Sequence, residues 1–186
     1  GDLIYWEDGA NRYCGNVVIA DNEIYCMYDD ELHVEGRHWK AAGVVVPVFS
    51  LRSGGSQGVG DFGDLKMMVD WATKTNMHVI QLLPIYDTTQ NHTWTDSYPY
   101  NSISIYALHP MYIDIRQLNR IDDEDFMHEY ELRREQLNGE FSVDYELTNK
   151  LKRGYMLRLF EQEGKAVLES DEFKTFFNDN GQWLIP

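Results

Sequence analysis

Cysteine is scarce in this chain of 186 residues. There are two, Cys14 and Cys26, and they do not form a CxxC pair. That argues against a disulfide scaffold and against a cysteine-based zinc site. Reduced thiols in a cytoplasmic protein are the expectation, with a single bridge between the two left open. Positive charge is also in deficit: 16 Lys and Arg face 31 Asp and Glu, a formal net charge of −15. A field of that sign repels nucleic-acid backbones and anionic membrane surfaces, and is indifferent to a neutral ligand. No run of about 18 apolar residues is present, so no membrane-spanning helix is expected. A basic-then-apolar leader is missing too. The chain begins at Gly1 and stops at "QWLIP", which suggests a piece of a longer protein. The six histidines, His33, His38, His78, His92, His109 and His128, show neither HxH nor HxxxH spacing. Surface or core roles suit them better than metal binding.

Aromatic residues, by contrast, are abundant at 13%, and their placement divides the chain into three zones. Residues 1–40 carry aromatic and β-branched residues between turn signals at Asp8-Gly9 and Asp21-Asn22, a β pattern too short to close its own sheet. Residues 41–118 read as a βαβ unit. "GVVVPVF", Gly43 to Phe49, has the near-continuous apolar character of a strand buried on both faces, with Pro47 as its blemish. The glycine-rich "SGGSQGVGDFGD" follows. A helix from about Asp64 to Lys74 places Leu65, Met68, Val69 and Ala72 on one stripe, with Asp61 and Asp64 at its N-terminus. "HVIQLLP", His78 to Pro84, is the second strand, parallel to the first. A long loop comes next, and "MYIDI", Met111 to Ile115, has the look of a short strand returning from it. Residues 119–186 read as helical and acidic. Leu147, Leu151, Tyr155 and Leu159 form one stripe. Ser170 caps a last helix that buries Phe173, Phe176 and Phe177.

Phosphate binding is disfavoured at the glycine-rich loop. It is not G-x-G-x-x-G, no Walker lysine follows, and Asp61 would repel an anion there. The carboxylates Asp61, Asp87, Asp96 and Asp114 could be combined into an acid/base pair. Spacing sets no two of them at the roughly 5–5.5 Å of a retaining glycosidase, so caps and turns are their simpler role. The loop "WTDSYPYNSISIYALHPMYID" is more telling. A sugar ring offers an apolar face of C–H groups and a rim of hydroxyls, and is matched by flat rings beside short hydrogen-bonding groups. Trp94, Tyr98 and Tyr100 supply the rings; Asp96, Ser97 and Asn101 supply the polar groups. The loop also follows a strand's C-terminal end, where parallel barrels build their sites. The alternative is that these rings only pin the loop down.

Three segments in order, "GVVVPVFSLRSGGSQGVGDFGDL", "VIQLLPI" and "DSYPYNSISIYALHPMYIDI", resemble the start of the catalytic domain of 4-α-glucanotransferases. These are the amylomaltases or disproportionating enzymes of glycoside hydrolase family seventy-seven. The likeness continues more weakly through "VDYE", Val143 to Glu146, and "NGQWL", Asn180 to Leu184. Simple bacterial members have D-S-P-Y-Q-S. Here Asp96-Ser97-Tyr98-Pro99-Tyr100-Asn101-Ser102 carries one extra residue and is followed by "ALHP", which resembles the larger, plant-cytosol type with starch-binding modules ahead of the barrel. "WEDGANR" is similar to the W-E-x-x-x-N-R closing strand of a family-twenty starch-binding module, and Trp6, Glu7 and Asn11 match its sugar-contacting positions.

The resemblance implies an α/β fold: the first strands of an eight-stranded (β/α) TIM barrel with a helical insertion, behind a β remnant of a starch-binding module. It implies retaining transfer of glucosyl units between α-1,4-glucans through a covalent intermediate on an Asp. Maltose, maltodextrin, starch or glycogen would be the partners, with no metal or organic cofactor. Ser97 and Tyr100 match residues lining the subsites beside the cleaved bond, and Asp96 shapes the same loop. The family's nucleophilic Asp, acid/base Glu and transition-state Asp lie on later strands, so none is expected among these residues. An α-amylase-type hydrolase and a non-enzymatic glucan-binding module remain the alternatives.

Overall fold

A computed structural model describes residues 20–22 and 41–185. The chain divides into two units, Gly1–Lys40 and Ala41–Pro186. In the first, Asp21 and Asn22 form a turn, with Asn22 at φ 69°. Asn tolerates that left-handed region better than most residues. The sugar-contacting positions expected at Trp6, Glu7 and Asn11 lie outside the described residues, as do both cysteines.

The second unit opens with β1 (Gly43–Val46) and β2 (Val79–Leu82), joined through helix α1 (Phe62–Lys74). The strands pair in parallel, Gly43 opposite Val79 through Val46 opposite Leu82. The N–H of His78 extends the ladder by donating to the Ala42 carbonyl at 2.9 Å. The first strand is shorter than expected. It ends at Val46 because Pro47 has no N–H to give, and Val48–Ser50 wind into a 3₁₀ turn instead. Nor is it buried on both faces: Val45 is 64% exposed.

α1 begins at Phe62, two residues before its expected start. Asp61 is the N-cap, accepting from the N–H groups of Gly63 and Asp64, while the Asp64 carboxylate accepts from the Asp61 N–H. This reciprocal capping box satisfies donors the helix itself leaves unpaired. Of the expected stripe, Ala72 is buried and Leu65 and Met68 are half-buried, but Val69 is exposed.

"MYIDI" is not a strand. Pro110–Tyr112 and Ile115–Gln117 form two 3₁₀ turns. Pro110 suits a first helical position, and the Asp114 side chain accepts from the Arg116 N–H and closes the second turn. The chain returns from its long loop earlier, through an antiparallel bridge between Tyr86 and Leu108.

Three helices follow: α2 (Glu124–Gly139), α3 (Tyr145–Glu169) and α4 (Asp171–Leu184). Their N-caps are Asp123, Asp144 and Ser170, each accepting from a backbone N–H three residues on. On α3, Tyr155 is buried and Leu151 and Leu159 are half-buried, but Leu147 at its start is exposed. The phenylalanine stripe of α4 is not buried: Phe173 is half-covered, and Phe176 and Phe177 are exposed. Among the described residues, no helix is long and apolar enough to cross a membrane.

The core lies beside the small sheet, not on it. One cluster joins Val48 and Val59 to Met111, Tyr112 and Tyr145. A second joins Ile115 and Ile121 to Met127, Tyr130 and Tyr155. Both use the turns at 110–121 as filling between the glycine-rich segment and the α2–α3 pair.

Candidate functional site

The segment between β2 and the first of those turns rises on a narrow stalk. His109 N–H donates to the Ile85 carbonyl, Asp87 N–H to Ala107, and Ile103 N–H to Asp87. Above the stalk, Trp94–Ser97 form a 3₁₀ turn. Its organiser is Asp96. This carboxylate is buried and accepts from the N–H groups of Gln90, Asn91 and His92 at 2.9, 2.8 and 2.8 Å. Burial pushes the Asp96 carboxyl up, but the hydrogen bonds from Gln90, Asn91 and His92 outweigh it and hold the carboxyl below its ordinary range. His92, at φ 58°, is where the backbone bends to deliver those donors. Asp96 is thus consumed inside the loop.

The rings stand outside. Trp94 is 70%, Tyr98 62% and Tyr100 59% exposed. Tyr98 and Tyr100 tilt toward each other with centroids 5.5 Å apart. Ser97 and Asn101 are exposed with them. The sequence-predicted residues therefore separate into one buried organiser and five exposed groups. Large apolar rings that remain in water on a constrained loop form a surface with apolar area to offer and little ordering left to lose.

A cleft of about 780 Å³ lies nearby, lined by Asp87, Thr89 and His92 from the loop and by Tyr145, Glu146 and Lys150 from α3, among others. None of the three exposed rings lines it. At its floor, His109 is buried. Its Nδ1 accepts from the Met111 N–H at 3.1 Å, so Nε2 carries the proton and donates to the Tyr145 hydroxyl at 2.9 Å. Burial drives the His109 pKa below its ordinary value despite nearby Asp87 and Asp96, which keeps the ring neutral in this arrangement.

The glycine-rich loop and α1 form a second polar centre. Arg116 donates to Asp61 at 2.8 Å, to Asp64 at 3.2 Å and to Asp114 at 2.6 Å. Ser53 and Ser56 each donate to Asp64 at 2.7 Å. Gly63 lets this happen, because a Cβ there would collide with the Asp114 and Arg116 side chains. Lys152, from α3, is fully buried. It donates to the carbonyls of Met111 and Ile113 at 2.7 and 2.8 Å and sits 3.6 Å from Asp61. Burial dominates this pair: the Lys152 pKa falls to about 8 and that of Asp61 rises. A free anion has no place here, since the helix N-terminus is filled by its own carboxylates.

All four candidate carboxylates are structural acceptors. Asp61 caps α1, Asp96 organises the loop, and Asp114 holds Arg116. Asp87 accepts from the Thr89 N–H at 2.9 Å. Among the described residues, no group of three or more His, Asp, Glu or Cys side chains could hold a metal ion. Sequence reasoning missed Arg116, Lys152, His109 and Tyr145 as organisers. Two of them were visible only as letters within "ALHP" and "VDYE".

The 4-alpha-glucanotransferase family model matches residues 46–186, and the chain belongs to this family. A rice protein, Oryza sativa subsp. japonica "4-alpha-glucanotransferase DPE2", is 43% identical over 148 residues, covering 80% of this chain and 16% of the relative. A Chlamydia pneumoniae 4-alpha-glucanotransferase is 32% identical over 145 residues, 77% of this chain and 27% of the relative. One from Chlamydia caviae is 30% identical over 155 residues, covering 80% and 28%. The chain thus spans about a sixth of the rice relative and just over a quarter of the chlamydial ones.

Proposed function

We propose that the protein of which these residues are part transfers glucosyl or maltosyl units between α-1,4-glucans, and that these residues contribute a sugar-binding surface. The observation that carries this reading is the exposure of Trp94, Tyr98 and Tyr100 on a loop whose backbone is fixed by a buried carboxylate. Family membership supplies the substrate class: the relatives are named as 4-alpha-glucanotransferases. The rings stack on glucose faces, and Ser97 and Asn101 bond the hydroxyl rim. Asp96 acts through the loop's shape without touching sugar.

The β1–α1–β2 unit is the opening of an eight-stranded barrel, and α2–α4 are a helical insertion on it. Residues 1–40 are the end of a starch-binding module plus a linker, with Trp6, Glu7 and Asn11 as its sugar contacts. The protein works in the cytoplasm. The reaction is retaining, through a glucosyl-Asp intermediate attacked by a second sugar's hydroxyl, and the three reacting carboxylates come from strands outside these residues. Every candidate carboxylate of the described stretch is already a cap or turn acceptor, which supports reacting carboxylates elsewhere, and the choice of transfer over hydrolysis rests on family membership.

Incubation with maltotriose tests the reading. The complete polypeptide is expected to redistribute chain lengths into longer and shorter maltodextrins. Release of water-derived reducing ends without longer products would replace transfer by amylase-type hydrolysis. The 186-residue polypeptide alone is expected to leave maltotriose unchanged, and turnover by it would show that the carboxylates have been misplaced.

A further inference from the structure

The motif "VDYE", Val143 to Glu146, is not among the residues read as sugar contacts, yet the structure ties three of its four residues to the aromatic loop or to the helix that faces it. Asp144 caps α3 by accepting from the Leu147 N–H at 2.9 Å, which fixes the direction of the first turn. Glu146, in the first turn of the helix, reaches across 52 residues of sequence. Its Oε1 accepts from the backbone N–H of Trp94 at 2.9 Å, at the start of the loop's 3₁₀ turn. That N–H is one of the orphan donors any short helix presents, and a carboxylate is its best acceptor. Tyr145 is buried and grips the stalk from below. Its hydroxyl oxygen accepts a hydrogen bond from His109 Nε2–H, and its ring meets His109 edge-on, with centroids 5.9 Å apart. The same hydroxyl faces Thr88 and Thr89, and Thr88 donates to the Asp96 carbonyl at 2.5 Å. One helical turn therefore holds the loop at its base through His109 and near its tip through Trp94.

We infer that Tyr145 and Glu146 are positioning residues for glucan binding: the first turn of α3 braces the aromatic loop and sets where its rings stand. This inference rests on the sugar-binding reading of the loop. Neither residue touches sugar. Their contribution is to remove loop motion before a ligand arrives, so that binding does not have to order the platform. Glu146 acts at the solvent-facing end through one charge-assisted bond. Tyr145 acts at the buried end, where an unpaired donor is more costly.

The test compares Glu146→Ala, Glu146→Gln and Tyr145→Phe in the full-length polypeptide, using hydrogen exchange of the loop amides and steady-state kinetics with maltotriose. Glu146→Ala is expected to speed exchange at the Trp94 amide and raise KM roughly fivefold with kcat and Tm nearly unchanged. Glu146→Gln keeps a carbonyl acceptor and is expected to restore most of both. Tyr145→Phe keeps the ring and loses the hydroxyl, and is expected to raise KM roughly tenfold and loosen residues 88–96. Unchanged exchange at Trp94 in Glu146→Ala would overturn the brace. So would faster exchange with an unchanged KM, or equal effects of Gln and Ala at position 146. If the wild-type protein neither binds nor turns over maltotriose, the sugar reading falls, and exchange alone then decides whether the brace exists.

Discussion

The aromatic loop and the Arg116–Lys152 centre are built from opposite materials. In the loop, a buried carboxylate is neutralised by backbone N–H groups and the rings face water. In the centre, three carboxylates are paired with two cations, and polar atoms are folded inward. The loop holds its shape with local bonds, from Asp96 to residues four to six earlier. The centre joins segments far apart in sequence, since Arg116 reaches carboxylates 52 and 55 residues away. The loop thus leaves its rings exposed to solvent, while the centre turns its charged groups on one another.

Substitutions can break this contrast, and the largest effect should come from the interior. Tyr112 belongs by sequence to the same ring-rich stretch as Tyr100 but is buried among Val48, Met111 and Phe62. Tyr112→Ala is expected to cost about 3–5 kcal/mol of stability in urea unfolding. It is a fold variant and no control for Tyr100→Ala. Lys152→Met comes next. It removes one of the two cations beside the buried Asp61 carboxylate and the donor to two carbonyls, and roughly 3 kcal/mol should be lost. A loss under about 1 kcal/mol would mean that Arg116 and the backbone donors alone satisfy the buried Asp61 carboxylate.

How legible these two regions were differs for a physical reason. The βαβ unit was written in local signals. Apolar runs marked both strands, and Asp61 and Asp64 marked the helix start three residues apart, within the reach of a capping box. Trp94, Tyr98 and Tyr100 drew notice because rings beside short polar groups stand together in one stretch, and all three are exposed. Where local pattern misled, a turn-former won. Pro47 shortened β1, and Pro110 with Asp114 turned the alternating "MYIDI" into two 3₁₀ turns. The stripe on α4 misled differently: its spacing sets a face, not what covers it. The long-range organisers could not be read at all. Arg116, Lys152 and Glu146 act on groups 39 to 91 residues away, and sequence spacing carries no information at that range.

Smaller effects should appear with pH. His109 has a depressed pKa, so the unfolded chain takes up protons before the folded one does. Stability is then fully present above 6.5, the ordinary histidine value, and falls as pH drops below it. Protonation would turn Nδ1 into a donor facing the Met111 N–H. His109→Gln should flatten that part of the profile in thermal melts. Asp96, also depressed, adds a second decline as pH falls through and below 3.8. Lys152 has the opposite consequence: its folded pKa of about 8 lies under the ordinary 10.5, so stability should rise between those values. The smallest changes in stability, within about 0.5 kcal/mol, belong to Trp94→Ala, Tyr98→Ala and Tyr100→Ala. Each should nevertheless weaken maltoheptaose binding, by roughly tenfold for Trp94 and Tyr100. A ring whose loss destabilises the fold instead would belong with Tyr112.

Titration of the protein with maltoheptaose, followed by NMR, addresses the sugar-binding surface most directly. Saturable shifts of the Trp94 indole and of the Tyr98 and Tyr100 rings, with the buried Tyr112 and Tyr155 rings unmoved, are the expected result. Shifts confined to Trp6, Glu7 and Asn11, or none at any of these rings at millimolar glucan, would contradict it.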